Sequence, residues 1–311
     1  MSEMRIVYRE TLRRMMAEDP RIVIVEADLA RSLGSQPLRD DYPDRFFDVG
    51  IAEQNMVTVS AGMAIGSSLI PFAHTFAPFM TRRVADQVAI SVCYAQANVK
   101  LIGSDPGIAA EINGATHQCY EDIAIMRAFS NMMVVDCADE AQLACLLPQV
   151  AAHEGPVYLR LFRKVLPEVY TQGCTSVLGK ADVLRAGNDV TLIAEGICVY
   201  DALQAAEQLA TEGIDARVIN MHTIKPLDRD AVLAAACETG AIVTCENHNV
   251  VGGLGAAVCE CVCESRPVPV VRVGVPDRFG EVGKLDYLKQ AMGMDVPSIV
   301  RAAHQALALK V

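Results

Sequence analysis

An α/β protein built from two doubly wound, mainly parallel sheets is what this sequence predicts, on three observations. Short apolar runs rich in Val and Ile alternate with stretches of helical periodicity, the pattern of parallel strands covered on both faces. The alternation breaks once, between residues 166 and 187, where Pro167, Gly173, Gly179 and Gly187 punctuate a stretch without sustained periodicity. With 311 residues, 52% of them apolar, the chain is long enough for two domains that each bury a core.

The predicted organisation is therefore a first domain over 1–165, a linker over 166–187 and a second domain over 188–311. In the first, strands are predicted at 22–25, 46–49, 69–72, 99–102, 132–136 and 157–161. Helical patterns lie between them near 4–18, 52–65, 78–96, 118–129 and 139–152. The second repeats the scheme, with strands at 190–194, 216–220, 242–245 and 270–273 and helices near 199–212, 228–238, 254–264 and 297–309.

Composition excludes several classes of function. The net charge of −11 argues against non-specific binding to nucleic acid or to an anionic membrane, so an anionic ligand would need a local cluster of basic groups. The longest apolar stretch, 57–73, is broken by Gly66-Ser67-Ser68 and Pro71, and reads as a buried helix followed by a strand, not a membrane span. The chain opens without a cleavable-signal pattern, and its eleven scattered cysteines suit reduced thiols in a cytoplasm. On one helix Cys259 and Cys263 would share a face while Cys261 points elsewhere, so the three do not readily converge on a metal and are expected to be core thiols. Gly253-Leu254-Gly255 departs from a dinucleotide fingerprint, with Val258 in the third glycine position, so close helix packing is its expected role.

The feature that says most about chemistry is Glu53, within Asp48-Val49-Gly50-Ile51-Ala52-Glu53-Gln54-Asn55-Met56. A glutamate between a strand-like run and an apolar helix is expected to be desolvated and ready to share a proton, or else to be a first-turn residue facing water. Phe76 and Phe79, in Thr75-Phe76-Ala77-Pro78-Phe79-Met80-Thr81-Arg82-Arg83, could wall a flat heterocycle or could be ordinary core residues. His117, in Gly114-Ala115-Thr116-His117-Gln118, could be structural or could move protons near neutral pH.

The nonapeptide around Glu53 resembles the pyrimidine-binding domain of transketolases and their thiamine-diphosphate relatives, and the similarity covers nearly the whole chain. Ile224-Lys225-Pro226-Leu227-Asp228 and Gly252-Gly253-Leu254-Gly255 are similar to the family's C-terminal domain. The resemblance implies that Glu53 hydrogen-bonds a ring nitrogen of the cofactor's aminopyrimidine, readying the thiazolium carbon for attack on ketose carbonyls. It also implies that Phe76 and Phe79 line that ring, that Asp28 lies near the cofactor, and that His117 faces the reacting carbons. Ser32, Arg5 and Arg163 match the family's contacts to the substrate's phosphate, a role that suits the planar donor fork of guanidinium. Arg160 in the same segment carries no comparable match, and Arg82 stands where many transketolases have a further pocket tyrosine.

Two substrate-side positions depart from the usual pattern. Asp105, twelve residues before His117, replaces a histidine near the substrate phosphate, and Asn113, four before, replaces an aspartate that reads a substrate hydroxyl. An ionised Asp105 would repel a phosphate, so a ketose with a different end group, such as a sulfonate, becomes a candidate substrate. No Gly-Asp-Gly segment for the Mg²⁺ of thiamine diphosphate occurs. The resemblance therefore implies the C-terminal subunit of a split transketolase, active with a partner that carries the diphosphate-binding domain and the metal, plausibly as a heterotetramer. Alternatives are a deoxyxylulose-phosphate-synthase-like subunit, the beta subunit of a 2-oxo acid dehydrogenase, and a non-catalytic scaffold.

Overall fold

The computed structural model describes residues 2–171 and 173–310 and contains two mainly parallel sheets flanked by helices. Among the described residues twelve strands form: β1 Ile22–Glu26, β2 Phe46–Asp48, β3 Ile70–Phe76, β4 Lys100–Ser104, β5 Met133–Asp136, β6 Val157–Leu161, β7 Asp182–Arg185, β8 Val190–Ala194, β9 Ala216–Asn220, β10 Thr223–Lys225, β11 Ile242–Asn249 and β12 Val270–Val275. The first sheet runs β10-β5-β6-β4-β3-β1-β2 and the second β12-β11-β8-β9-β7. Every residue of β1, β4, β6 and β8 is buried, as expected of strands covered on both faces.

The structure departs from the predicted organisation in instructive places. β10 lies in the second half of the chain yet pairs antiparallel with β5, completing the first sheet. The end of the predicted linker is β7, an antiparallel edge strand paired with β9. The cores are not separate either, because one apolar cluster runs from Met4 and Leu12 through Leu159 to Leu192, Val243 and Ile299. β11 extends past its predicted end through Glu246, Asn247 and His248, which are polar but fully buried.

Two predicted helices are shorter or broken. The expected helix at 78–96 splits after Met80, because Thr81 leaves the helical backbone region and turns its hydroxyl to the carbonyl of Ala77 at 2.7 Å. A π-helical stretch over Val88–Tyr94 follows. The helix expected from 118 begins at Asp122, since the backbone of Cys119 and Tyr120 is used to accept from Gly107 (2.9 Å) and Asn249 (2.8 Å). A short helix over Leu285–Ala291 has no counterpart among the sequence-based expectations.

The two halves meet across a buried polar network centred on Arg160 of β6. Its guanidinium donates to Asp122 (2.8 Å) and Asp136 (2.6 Å) in the first half, and to Glu195 (3.1 Å) and the Asn247 carbonyl (2.8 Å) in the second. Arg160, Asp122 and Glu195 have no exposed surface. Gly107, in left-handed backbone at φ +59°, lies so close to Asn247 that a Cβ there would fall 2.1 Å from the amide oxygen. That approach lets Asn247 donate to the Pro106 carbonyl and accept from the Ile108 amide, both at 2.9 Å.

One arginine among several carboxylates leaves excess negative charge to neutralise. Burial pushes the carboxyls of Asp136 and Glu195 up against the pull of Arg160, and pushes Glu246 to about 7. Glu246 holds a proton in the folded state that the unfolded chain has already released, so its stabilisation is lost as pH climbs from the ordinary value of 4.5 towards 7. The urea midpoint is expected to fall over that window by the equivalent of about 2–3 kcal/mol. Glu246→Gln should flatten the profile, and an unchanged profile in that variant would contradict the assignment.

Candidate active site

The site grows from the C-terminal ends of the parallel strands of the first sheet, where chain crossovers leave loops facing a common crevice. Asp28 and Ser32 follow β1, Glu53 follows β2, and Phe76 ends β3 with Phe79 just beyond. Asp105, Asn113 and His117 follow β4, and Arg163 follows β6. These residues singled out from the sequence thus issue from one edge, and Arg5 reaches it from the helix Met4–Glu18.

Phe76, Phe79 and His117 form a tight group, with Glu53 tied to it through Arg83. Glu53 opens the helix Glu53–Ser67 and is only 3% exposed, so it is the desolvated residue and not the water-facing one. The rings of Phe76 and Phe79 are 6.0 Å apart, and the His117 imidazole stands edge-on to both, at 5.8 and 5.4 Å. Pro78, in the first turn of the short helix Ala77–Met80, restricts the backbone between the two phenylalanines. Thr116 meets His117 Nδ1 at 2.9 Å and helps orient its ring.

A residue missed in the sequence joins this group. Arg83 donates to Glu53 Oε1 at 2.7 Å and spreads its guanidinium 3.9 Å over the Phe79 ring. The buried carboxylate therefore has a cationic neighbour and does not sit among apolar groups alone, as the sequence had implied. The sequence carried one signal, Arg83 four residues after Phe79 within the predicted helix, though the break at Thr81 means that helical spacing is not what joins them. Arg82, at the position of the family's pocket tyrosine, turns outward to Glu121 at 3.1 Å. It edges a cleft of about 620 Å³ between the halves, lined also by Gln118, Tyr120, Arg278 and Phe279.

A second group is basic. The Ser32 carbonyl accepts from Arg5 (2.9 Å) and from Arg163 (3.1 Å), so the backbone of that loop, with its hydroxyl nearby, gathers both arginines. Arg163 also donates to Asp105 at 2.6 Å and lies 4.9 Å over the Phe76 ring, which joins the two groups. Asp105 is 2% exposed; burial pushes its carboxyl above the ordinary range while Arg163 pulls it down. Arg5 pairs in addition with Glu3 at 2.8 Å.

Two predicted residues stand apart. Asp28 is exposed, in left-handed backbone at φ +59°, and its amide donates to Asp48, whose carboxylate also holds the Gly50 amide of the loop leading to Glu53. Asn113 is exposed at the end of the 3-10 turn Ile108–Asn113. Outside the site, Arg160 proves structural, and of the three clustered cysteines only Cys261 is in the core while Cys263 is exposed. The Gly253–Gly255 turn has no room for a phosphate, since Glu246 caps it through the Gly255 amide at 3.0 Å. No helix among the described residues is long and apolar enough to cross a membrane.

Comparisons with known proteins bear on the family to which the chain belongs. Residues 1–168 match the transketolase pyrimidine-binding domain and residues 179–299 the transketolase C-terminal domain. A Clostridium sp. (strain MSTE9) protein named 6-deoxy-6-sulfo-D-fructose transketolase subunit SqwH is 50% identical over 97% of this chain and 94% of its own length. An apulose-4-phosphate transketolase subunit from Phocaeicola vulgatus is 38% identical over 95% of each chain. A solved structure described as a split gene transketolase, inactive beta4 tetramer, superposes with a TM-score of 0.91 at 42% identity, over 100% of this chain and 99% of its own. The chain belongs to the transketolase family, as a subunit of the split type that carries the pyrimidine-binding and C-terminal domains.

Proposed function

We propose that this subunit, joined to a partner bearing the diphosphate-binding domain, transfers a two-carbon ketol unit from a ketose with a singly charged anionic end, such as 6-deoxy-6-sulfo-D-fructose, to an aldose. The observation that carries the reading is the juxtaposition of Glu53, Phe76, Phe79 and His117 with the Arg5–Ser32–Arg163 cluster at one sheet edge.

A buried carboxylate beside two aromatic walls fits an aminopyrimidine, with Glu53 as acceptor for a ring nitrogen, Phe76 and Phe79 excluding water, and Asp28 on the cofactor side. Thiamine diphosphate, when bound, would supply the nucleophilic carbon that attacks the ketose carbonyl. His117 would hold or move a proton at the reacting hydroxyl, and Asn113 would meet another hydroxyl of the sugar. The chain has no Gly-Asp-Gly segment, so Mg²⁺ and the diphosphate are assigned to the partner subunit. Exposed Ile51 (77%) and Ile112 (70%) beside the site suit a protein interface, and a complex with two copies of each subunit is expected. The related split-gene structure is described as an inactive tetramer, and this chain alone is likewise expected to transfer nothing. Its eleven free thiols fit a cytoplasmic setting.

Charge favours the sulfonate. Arg5 and Arg163 bring two positive charges, and their partners Glu3 and Asp105 return two negative ones. A near-neutral site accommodates one negative charge more readily than the nearly two of a phosphate. In the reconstituted pair, 6-deoxy-6-sulfo-D-fructose should therefore give a higher kcat/KM than fructose 6-phosphate or xylulose 5-phosphate, with pyruvate as the control for the synthase and dehydrogenase alternatives. Equal or better turnover of the phosphates would refute the assignment. Asp105→Asn should shift the sulfonate-to-phosphate preference by about tenfold towards phosphate, as read from the ratio of kcat/KM values.

A further inference from the structure

We propose that a buried chain of hydrogen bonds, Tyr8–His74–Glu26–Ser35, is the positioning device that sets the donor's anion site, an inference that rests on the ketol-transfer reading above. The Tyr8 hydroxyl lies 2.7 Å from His74 Nε2, and His74 Nδ1 lies 2.9 Å from Glu26 Oε1. The Ser35 hydroxyl donates to the same carboxylate oxygen at 2.5 Å. None of the four residues is more than 1% exposed. Every donor in the chain finds an acceptor when Tyr8 O–H points to Nε2 and both Nδ1–H and Ser35 O–H point to Glu26.

Buried this deeply, none of these side chains can touch a sugar, but each is anchored in a segment that does carry a site group. Tyr8 is on the helix Met4–Glu18, one turn after Arg5. Ser35 follows the four-residue helix Ala30–Leu33, whose Ser32 carbonyl gathers Arg5 and Arg163. His74 precedes Phe76 by two residues on β3, and the Phe76 ring lies against Arg163. A helix of one turn has little stability of its own, and Gly34 after it is left-handed, so the loop's position must be imposed from outside. The tie from Ser35 to Glu26 imposes it.

Glu26 is otherwise hard to explain. It ends a strand of Ile and Val, and one of its carboxylate oxygens is buried without a hydrogen-bond partner among the described residues. A core built for stability alone would place an apolar residue there.

The test uses the assembled pair. His74→Leu and Tyr8→Phe should raise KM for the sulfonate donor about tenfold while changing kcat/KM for L-erythrulose, a ketose without an anionic end, about twofold or less. Sulfate affinity, measured by calorimetry, should weaken in parallel with that KM. His74→Gln, whose amide can both donate and accept, should recover most of the effect. Equal losses on both donors, no change on either, or a His74→Gln variant as poor as His74→Leu would overturn the proposal. If the unaltered pair turns over no ketose, the ketol-transfer reading fails, and sulfate affinity unchanged by His74→Leu still overturns the positioning role by itself.

Discussion

Replacing Glu53 by Gln in the reconstituted pair is expected to lower kcat by about a hundredfold to ten-thousandfold, the range for loss of a positioned proton-sharing group. The substitution keeps the volume of a side chain that is 3% exposed, so folding and subunit assembly should persist. What is lost is the acceptor charge that Arg83 now meets at 2.7 Å. Steady-state ketol transfer and a thiamine diphosphate titration would separate the effects: kcat should collapse while cofactor affinity changes far less. A variant with near-normal kcat would remove Glu53 from the mechanism.

Arg160→Met should be the most damaging substitution outside the site, costing about 3–5 kcal/mol, because it strips the cation from Asp122, Asp136 and Glu195 while leaving them buried. The loss would be read as a shift of the urea midpoint. Arg160→Lys should recover only part of it, since one ammonium cannot span partners in both halves of the protein. A midpoint within about 0.5 kcal/mol of the unaltered protein would mean that the network contributes little to joining the halves.

Why some of this was legible and some not follows from the range of the interactions. β1, β4 and β6 are buried on both faces, so their apolar runs stand out locally. Glu53, Phe76, Phe79 and His117 sit in contiguous motifs that follow strand ends, and the fold brings the three rings into contact, with Glu53 joined to them through Arg83. β10 is three residues long and is held by β5, some ninety residues earlier; nothing local marks it. The end of β11 was lost because Glu246, Asn247 and His248 read as a polar boundary, whereas Asn247 and His248 meet Pro106 and Ala124, far off in sequence, and Glu246 accepts from the Gly255 amide. Arg160 lies three residues before the candidate Arg163 and carried no comparable match, and it faces inward across the domain boundary while Arg163 faces the crevice.

β10 also bears on biosynthesis. A ribosome making this protein has released all six other strands of the first sheet by residue 161, but the strand that caps its edge arrives only at 223–225. Until then the rim of β5 stays open to other nascent chains, a template for unwanted pairing. Truncations ending in the 166–187 stretch should therefore come out of cells as inclusion bodies, and a cell making this subunit has reason to keep a holdase close to the exit tunnel.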